Sequence, residues 1–231
     1  MVIGVTGGVG AGKSTVLMIL EKNYNAKIIM ADDVAKELME PGGASYEAVV
    51  DAFGEEILVQ PEECPMGAEE GTANLDSESF PKQADTKRPI DRKKLAEIIF
   101  NDDEKLALVN SLTHPKVKEE ILSRIDSFYA EDEEALIVVE AALLIEAGYE
   151  DILDSLWIVT VDTEVRIERL MRDRGYTREK CLSIMDNQLS DEEFTAHADV
   201  IINNSYTLEN TEQQVADAIH KCIRSKEKES K

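Results

Sequence analysis

The chain has 231 residues, of which 48 are acidic and 25 are basic, so its formal net charge is −23. This length allows an α/β domain with a sizeable hydrophobic core. The charge repels phosphate backbones and anionic lipid head groups, and we therefore expect no nucleic-acid partner and no membrane partner.

Cysteine content and hydropathy indicate the compartment. The three cysteines, Cys64, Cys181 and Cys222, form no C-x-x-C pair, so neither a disulfide framework nor a metal cluster is predicted. No apolar run approaches the roughly 20 residues that span a bilayer, and no charged leader precedes the first apolar run. We expect a soluble cytoplasmic protein, whose oligomeric state the sequence leaves open.

Short apolar runs alternate with helix-like segments, which is typical of a parallel sheet covered by helices on both faces. Strands are predicted at residues 2–6, 27–30, 135–139, 155–161 and 199–202. Helices are predicted at roughly 13–21, 33–40, 92–100, 115–128, 164–172 and 208–223. Ligands of such a sheet bind outside the carboxyl ends of its strands.

The first predicted strand leads into a full match to the phosphate-loop pattern G-x-x-x-x-G-K-[ST]. In such a loop the backbone N–H groups surround nucleotide phosphates, Lys13 contacts the β and γ phosphates, and the Ser14 hydroxyl binds Mg²⁺. A plain glycine-rich turn is the alternative, but the strand before and the helix after the loop favour nucleotide binding. The candidate ATP-binding residues are Gly8, Val9, Gly10, Ala11, Gly12, Lys13, Ser14 and Thr15.

Two carboxylates, Asp32 and Asp33, follow the second predicted strand. In a sheet with the phosphate loop after the first strand, the end of an adjacent strand faces the same crevice. Asp32 could therefore accept the proton of an attacking hydroxyl or orient Mg²⁺. It could equally be the N-cap of the following helix.

Residues 61–88 contain three prolines, two glycines and seven acidic residues without a sustained hydrophobic period, and we interpret them as a solvated or disordered loop.

Two later segments carry helix-start signals. Asp91 is a favoured N-cap, and Thr113 is predicted to cap a helix whose first turn contains Pro115.

Two further acidic residues are candidates for the site. Glu140 ends the third predicted strand and could hold Mg²⁺ through water, or it could be a surface acid that terminates the strand. Glu146 follows the apolar stretch 141–145 and is a candidate contact to a second domain, or it could likewise be a surface acid.

Positive charge is concentrated in one segment. Five of the nine arginines, Arg166, Arg169, Arg172, Arg174 and Arg178, fall within residues 166–178, in a helix that runs through Gly175 into a second helix. A mobile helix pair of this kind can close over phosphates. The alternative is a solvated helical face with local pairs to Glu164 and Glu168.

Together these segments resemble the dephospho-CoA kinase family over nearly the whole chain. The matching segments, in order, are Gly4 to Thr15, Ala31-Asp32 to Glu40-Pro41-Gly42, Phe53-Gly54, Ile90-Asp91-Arg92-Lys93-Lys94-Leu95 with Phe100, His114-Pro115, Leu143-Leu144-Ile145-Glu146, Arg169-Leu170-Met171, Gln188, and Ala198-Asp199 to Asn204. The later segments are individually unspecific, but their order is characteristic.

The resemblance implies a P-loop kinase fold of the α/β class, with a five-stranded parallel sheet, a helical acceptor-binding subdomain and a lid. It implies transfer of the ATP γ-phosphoryl group to the ribose 3′-hydroxyl of dephospho-CoA, with Mg²⁺. The catalytic residues would be Asp32, as the base, and Lys13. Arg92, His114 and Glu146 match acceptor-side positions, and Asn204 matches a position near adenine.

The resemblance also implies a division of the single domain, residues 1–231. The nucleotide-binding core would comprise about 1–30, 135–162 and 198–224, the acceptor-binding subdomain about 31–134 with the insert 61–88, and the lid about 163–197. Candidate phosphate-facing lid residues are Arg169, Arg172 and Arg174.

Several positions depart from the family pattern. Met30 replaces a usual aspartate, Ala142 a usual proline and Ile184 a frequent arginine, and Asp173 stands where a lid arginine is expected. Another small-molecule kinase of the nucleoside, nucleotide or shikimate type is the nearest alternative. A nucleotide-binding module without catalysis and a GTP-binding switch are others, although residues 51–54, which have a D-x-x-G form, lie in a helix-like segment and no N-K-x-D motif is present.

Overall fold

The computed structural model describes residues 1–60, 87–100, 102–141, 144, 148–186, 188 and 195–229. Within those ranges, no helix combines the length and the apolar character needed to cross a bilayer. The predicted loop at 61–88 lies outside the described residues, apart from Lys87 and Arg88.

A five-stranded sheet forms the centre of the fold, in the order β2-β3-β1-β4-β5. The strands are β1 (Val2–Thr6), β2 (Lys27–Met30), β3 (Ile137–Glu140), β4 (Ser155–Thr160) and β5 (Val200–Asn203). Every neighbouring pair is parallel, and the register places Val5 beside Glu140 on one side and beside Trp157 on the other. The predicted five-stranded parallel α/β fold is confirmed. Three strands differ from the prediction by one or two residues: β3 begins at Ile137 and extends to Glu140, β4 ends at Thr160, and β5 begins at Val200 and extends to Asn203.

Eight α-helices are described. They are α1 (Lys13–Tyr24), α2 (Ala31–Leu38), α3 (Tyr46–Phe53), α4 (Arg92–Ile99), α5 (Asp103–Glu131), α6 (Thr163–Arg174), α7 (Arg178–Asp186) and α8 (Leu208–Glu229). Short 3₁₀ turns occupy Glu55–Ile57 and Glu150–Ile152. Gly175 ends α6 in the left-handed conformation, as expected for a glycine after a helix.

The predicted start of a helix at Pro115 is wrong, because Pro115 lies inside the 29-residue helix α5. The Thr113 hydroxyl donates to Val109 O at 2.9 Å, so it bonds back along the helix and does not cap it. The helix begins after Asp102, whose carboxylate accepts from Lys105 N at 3.0 Å. This hydrogen bond also lowers the pKa of Asp102.

The chain divides into two compact units, which are residues 1–32 with 120–231, and residues 33–119. In the first unit, buried residues of β1, β3, β4 and β5 pack with apolar residues of α1 and α8 around the fully buried Trp157. This core fixes the carboxyl ends of the central strands, from which the loops at that edge of the sheet begin.

The second unit has its own core, formed by α3, the following 3₁₀ turn, α4 and the start of α5. Tyr46, Val49 and Phe53 are buried there. Asp51 belongs to α3 and Gly54 directly follows this helix, so the D-x-x-G sequence does not lie at a strand end. As predicted, Asp91 caps α4, since its carboxylate accepts from Lys93 N and Lys94 N at 3.0 and 3.1 Å.

Candidate functional site

The phosphate loop connects β1 to α1. Gly12 precedes α1 with φ 90°, and the helix start has no side-chain hydrogen-bonded cap. A Cβ at Gly12 would overlap the Asn204 side-chain amide, so only glycine allows this close approach. The first N–H groups of α1 are therefore available to an anionic ligand, which the helix dipole also favours.

Lys13 is the first residue of α1 and is held by two groups. Its ammonium group donates to Gly7 O at 2.9 Å and lies 3.5 Å from the Glu140 carboxylate. Both side chains are largely buried, with 16% and 8% exposure. The pairing follows from the sheet order, because β3 is the neighbour of β1 and ends in Glu140. Glu140 is thus a buried carboxylate beside Lys13, and its interpretation as a surface acid is wrong.

A cavity of about 950 Å³ opens over the loop. Its wall contains many of the predicted site residues: Val9, Gly10, Gly12, Lys13, Ser14, Thr15, Asp32, Glu140, Arg169, Arg172, Arg174 and Asn204. The structure therefore places the predicted catalytic residues, the predicted metal-binding residues and the candidate lid arginines on one cavity. Gly8 and Ala11 belong to the same loop.

Asp32 follows β2 and lies on the wall of this cavity. The expectation that β2 is adjacent to β1 is wrong, because β3 lies between them. The helix α2 begins at Ala31, directly after the strand, so Asp32 lies inside the first helical turn. The alternative that Asp32 caps a helix starting at residue 33 is therefore wrong. Its side chain is exposed and accessible to a ligand.

Asn204 connects the end of β5 to the phosphate loop. Its side-chain N–H donates to Ala11 O at 3.0 Å, and its side-chain oxygen Oδ1 accepts from the Thr211 hydroxyl at 2.9 Å. Both Asn204 and Thr211 are buried. The role of Thr211 was not predicted, and its only sequence signal is its position on the first turn of α8.

The three candidate lid arginines differ in their partners. Arg169 donates from Nη2 to Asn204 O at 2.7 Å, while its buried Nη1, close to Gly12, has no hydrogen-bond partner in the described part of the chain. Arg172 binds Asp173 through two hydrogen bonds of 2.6 and 3.0 Å, and this contact lowers the pKa of Asp173. Arg174 lies on the cavity wall.

The arginine-rich segment makes further contacts, some of which the sequence did not predict. Arg166 is buried and donates to Val9 O at 2.7 Å, and Gln188 accepts from Val9 N at 3.2 Å. Arg178 binds Glu164 through two hydrogen bonds of 2.8 and 2.6 Å, which lowers the pKa of Glu164. The alternative interpretation of the arginine-rich segment, a solvated face with local pairs, therefore describes Arg172 and Arg178 but not Arg166 and Arg169.

Two of the predicted acceptor residues lie in the second unit. Arg92 begins α4, pairs with Glu40 and donates to Lys36 O at 3.2 Å. His114 lies in α5 and is partly buried. Glu146, the third, is outside the described residues, as is Ala142.

The matching family model and the curated relatives give one family. A family model described as dephospho-CoA kinase matches residues 1–63 and 69–210. Over 220 residues the chain is 35% identical to a dephospho-CoA kinase of Carboxydothermus hydrogenoformans, covering 95% of this chain and 93% of the relative. The corresponding enzyme of Oceanobacillus iheyensis is 33% identical over 222 residues, with 96% and 97% covered.

Two solved structures share the fold. A protein of Thermus thermophilus superposes with a TM-score of 0.71 at 24% identity, covering 96% of this chain and 97% of the other. A dephospho-CoA kinase of Campylobacter jejuni gives a TM-score of 0.64 at 24% identity, with 97% and 98% covered. Since the family model covers most of the sequence and the curated relatives match nearly end to end, the chain belongs to the dephospho-CoA kinase family.

Proposed function

We propose that this chain transfers the γ-phosphoryl group of ATP to the ribose 3′-hydroxyl of dephospho-CoA, giving CoA and ADP. The observation that carries the proposal is a cavity whose wall contains both the phosphate loop and Asp32, in a chain of the dephospho-CoA kinase family. A donor site and a candidate acceptor base on one cavity wall are what in-line phosphoryl transfer requires.

Lys13, the loop N–H groups and Arg169 are proposed to bind the ATP phosphates. The case for Arg169 over Arg172 and Arg174 is its unpartnered buried Nη1 next to Gly12. A buried donor without a partner is costly, and a phosphate oxygen would satisfy it. Arg172 is already bound to Asp173, which lowers its value as a phosphate ligand.

Asp32 is proposed to orient or deprotonate the acceptor hydroxyl. It is exposed on the cavity wall, so a ribose hydroxyl can approach it directly. Met30 lies on the same wall in place of the usual family aspartate, so Asp32 would carry this role alone at the end of β2. Arg92, His114 and Glu146 are proposed to bind the acceptor, and Asn204 to lie near adenine.

The donor atoms around the cavity fit Mg²⁺. Ser14 supplies a hydroxyl, and Glu140 and Asp32 supply carboxylates, which are the hard oxygen ligands that this ion prefers. Within the described ranges no group of three or more His, Cys, Asp or Glu side chains could hold a metal, so the ATP phosphates would complete the coordination. Ser14 would bind the ion directly and Glu140 through water. Bound Mg²⁺ would neutralise charge that develops on the phosphates.

The division into a nucleotide-binding core, an acceptor-binding subdomain and a lid is part of this proposal. The compact unit 33–119 supports a separate acceptor-binding part, because it has its own hydrophobic core and contains Arg92 and His114. The lid assignment of residues 163–197 is supported by the arginines of α6 that reach the phosphate loop and the cavity.

A coupled ADP-release assay tests the proposal directly. Dephospho-CoA, adenosine, nucleoside monophosphates and shikimate are compared as acceptors at saturating ATP and Mg²⁺. We expect kcat/KM for dephospho-CoA to exceed that for each other acceptor by about 100-fold or more, because binding energy from the remote part of the acceptor lowers the barrier. Equal or greater turnover of another acceptor would assign the enzyme to that substrate. ATP binding without turnover of any acceptor would leave a nucleotide-binding module.

A further inference from the structure

Val9, at the tip of the phosphate loop, has both of its backbone polar groups bound by side chains from outside the loop. Arg166 of α6 donates from Nε to Val9 O at 2.7 Å. Gln188, which follows α7, accepts from Val9 N at 3.2 Å. Arg166 also donates from Nη2 to the same Gln188 oxygen. We call Val9, Arg166 and Gln188 the Val9 anchor.

The Val9 side chain takes part in the same attachment. It packs against a small apolar cluster of Ile167, Leu170 and Cys181, all with exposures of 2% or less. These residues belong to α6 and α7, so the loop tip is joined to both helices by apolar contact as well as by hydrogen bonds.

Arg166 is placed to act on the loop and not on a ligand in the cavity. Its side chain is buried, and its guanidinium group lies so close to Gly8 that a Cβ there would overlap it. The cavity wall includes Arg169, Arg172 and Arg174 but not Arg166. The arginine-rich segment therefore contains members with two different tasks.

Fixing the loop tip has a physical consequence for nucleotide binding. A flexible glycine-rich loop loses conformational entropy when it closes around phosphates, and this loss weakens binding. Hydrogen bonds from a charged donor are stronger than neutral ones, so the Arg166 contact restrains Val9 before any nucleotide is present.

We propose that Arg166 and Gln188 are positioning residues for ATP, which hold the phosphate loop in its binding conformation through Val9. The proposal rests on the proposed kinase function, because it assigns the loop to ATP. It makes ATP affinity dependent on the attachment of α6 and α7 to the loop tip.

The test measures the dissociation constants for ATP and dephospho-CoA and the steady-state kinetics of the Arg166→Met and Gln188→Leu variants. Each variant is expected to raise Kd and KM for ATP about tenfold, as expected for lost pre-organisation, and to leave the dephospho-CoA constants within about twofold. The double variant should lose little more than either single variant, because both changes break one connected unit. The separate variant Gln188→Glu keeps the acceptor oxygen, so its Kd for ATP should stay within about twofold of that of the parent protein.

Arg178→Met is the matched control, since Arg178 joins the same two helices through Glu164 but belongs to neither the anchor nor the cavity wall. We expect it to leave the ATP constants unchanged even if it lowers Tm. Folded Arg166→Met and Gln188→Leu proteins with unchanged ATP affinity would overturn the proposal, as would equal losses for both substrates. If Arg166→Met does not fold, the partly exposed Gln188 position decides alone. A parent protein that binds ATP but does not phosphorylate dephospho-CoA would contradict the proposed function and still leave the ATP-binding test readable.

Discussion

Asp32 is the residue on which acceptor chemistry depends in the proposed reaction. We expect Asp32→Asn to lower kcat by about 100-fold or more, the range usual for loss of a general base, because an amide cannot accept the hydroxyl proton. The Kd for ATP should change by less than about threefold, since the phosphates are bound by other groups. Steady-state kinetics and ATP titration together measure the two effects.

The neighbouring carboxylate provides the control. Asp33 pairs with Lys36 on the exposed side of α2, so Asp33→Asn changes the same charge one residue away. It should retain kcat within about twofold, because exposed ion pairs contribute little. Equal kinetics for Asp32→Asn and the parent would remove Asp32 from the reaction.

Arg169 and Arg172 provide a second comparison between residues. Arg169→Met should lower kcat/KM for ATP by about 100-fold, because it removes the guanidinium group that we propose binds a phosphate through its buried Nη1. Arg172→Met should cost less than about fivefold, since Arg172 is exposed and bound to Asp173. Initial rates at varied ATP measure both losses. The reverse order would assign the phosphate contact to Arg172.

Where chemistry restricts the residue type, as in the phosphate loop, Asp32 and Glu140, the sequence indicated residues that the fold brings to one cavity wall, and their roles stay predictions. The arginine-rich pattern by itself did not distinguish Arg166 from Arg169, and only the family resemblance left Arg166 out of the phosphate-facing candidates. Burial and partners decide between an arginine that binds the loop and one that faces the cavity. Thr211 was missed for a similar reason. A threonine near a helix start is common, and only the fold brings it to Asn204.

At the level of elements, α4 offers a clean test of a predicted helix start. Asp91→Ala removes the carboxylate that accepts from two backbone N–H groups, Lys93 N and Lys94 N. We expect a loss of about 1 kcal/mol in the free energy of unfolding, the usual value for such a cap. Chemical denaturation measures it. Asp91→Asn keeps an acceptor oxygen and should lose less than half as much, and a similar loss in both variants would argue against capping.

Helix α5 shows where element prediction failed and why. Pro115 is typical of a first helical turn, yet the helix begins at Asp103 and continues through it. The start signal is Asp102, eleven residues before Thr113, the predicted cap. The strands were predicted more closely, since near-continuous apolar runs mark buried parallel strands clearly. Sheet order was not predictable from local patterns, and the place of β3 between β1 and β2 is what brings Glu140 to Lys13.

For the whole molecule, the acidic segment at 61–86 tests how much of the chain the proposed reaction needs. The described residues on either side are paired, with an antiparallel bridge between Leu58 and Ile90 and a 3.0 Å hydrogen bond from Val59 N to Pro89 O. A short glycine-serine linker could therefore join Gln60 to Lys87. We expect this replacement to keep kcat/KM within about threefold and to raise stability by about 1 kcal/mol through the shorter loop.

Kinetics with both substrates and a thermal melt measure the outcome of that replacement. A linker of equal length to the native segment is the control for altered composition. A selective rise in KM for dephospho-CoA would instead assign the segment to acceptor binding.

The pairing of Lys13 with Glu140 bears on how an inactive reference protein should be made. Replacing the phosphate-loop lysine by alanine is an obvious way to abolish turnover, but here it would leave a carboxylate, only 8% exposed, without the ammonium group 3.5 Å away. Loss of one partner from a buried pair is costly, so Lys13→Ala should lower Tm as well as activity. Adding Glu140→Gln should reverse part of this loss in Tm without restoring turnover. The double variant is therefore the better inactive reference protein for crystallography and complementation studies.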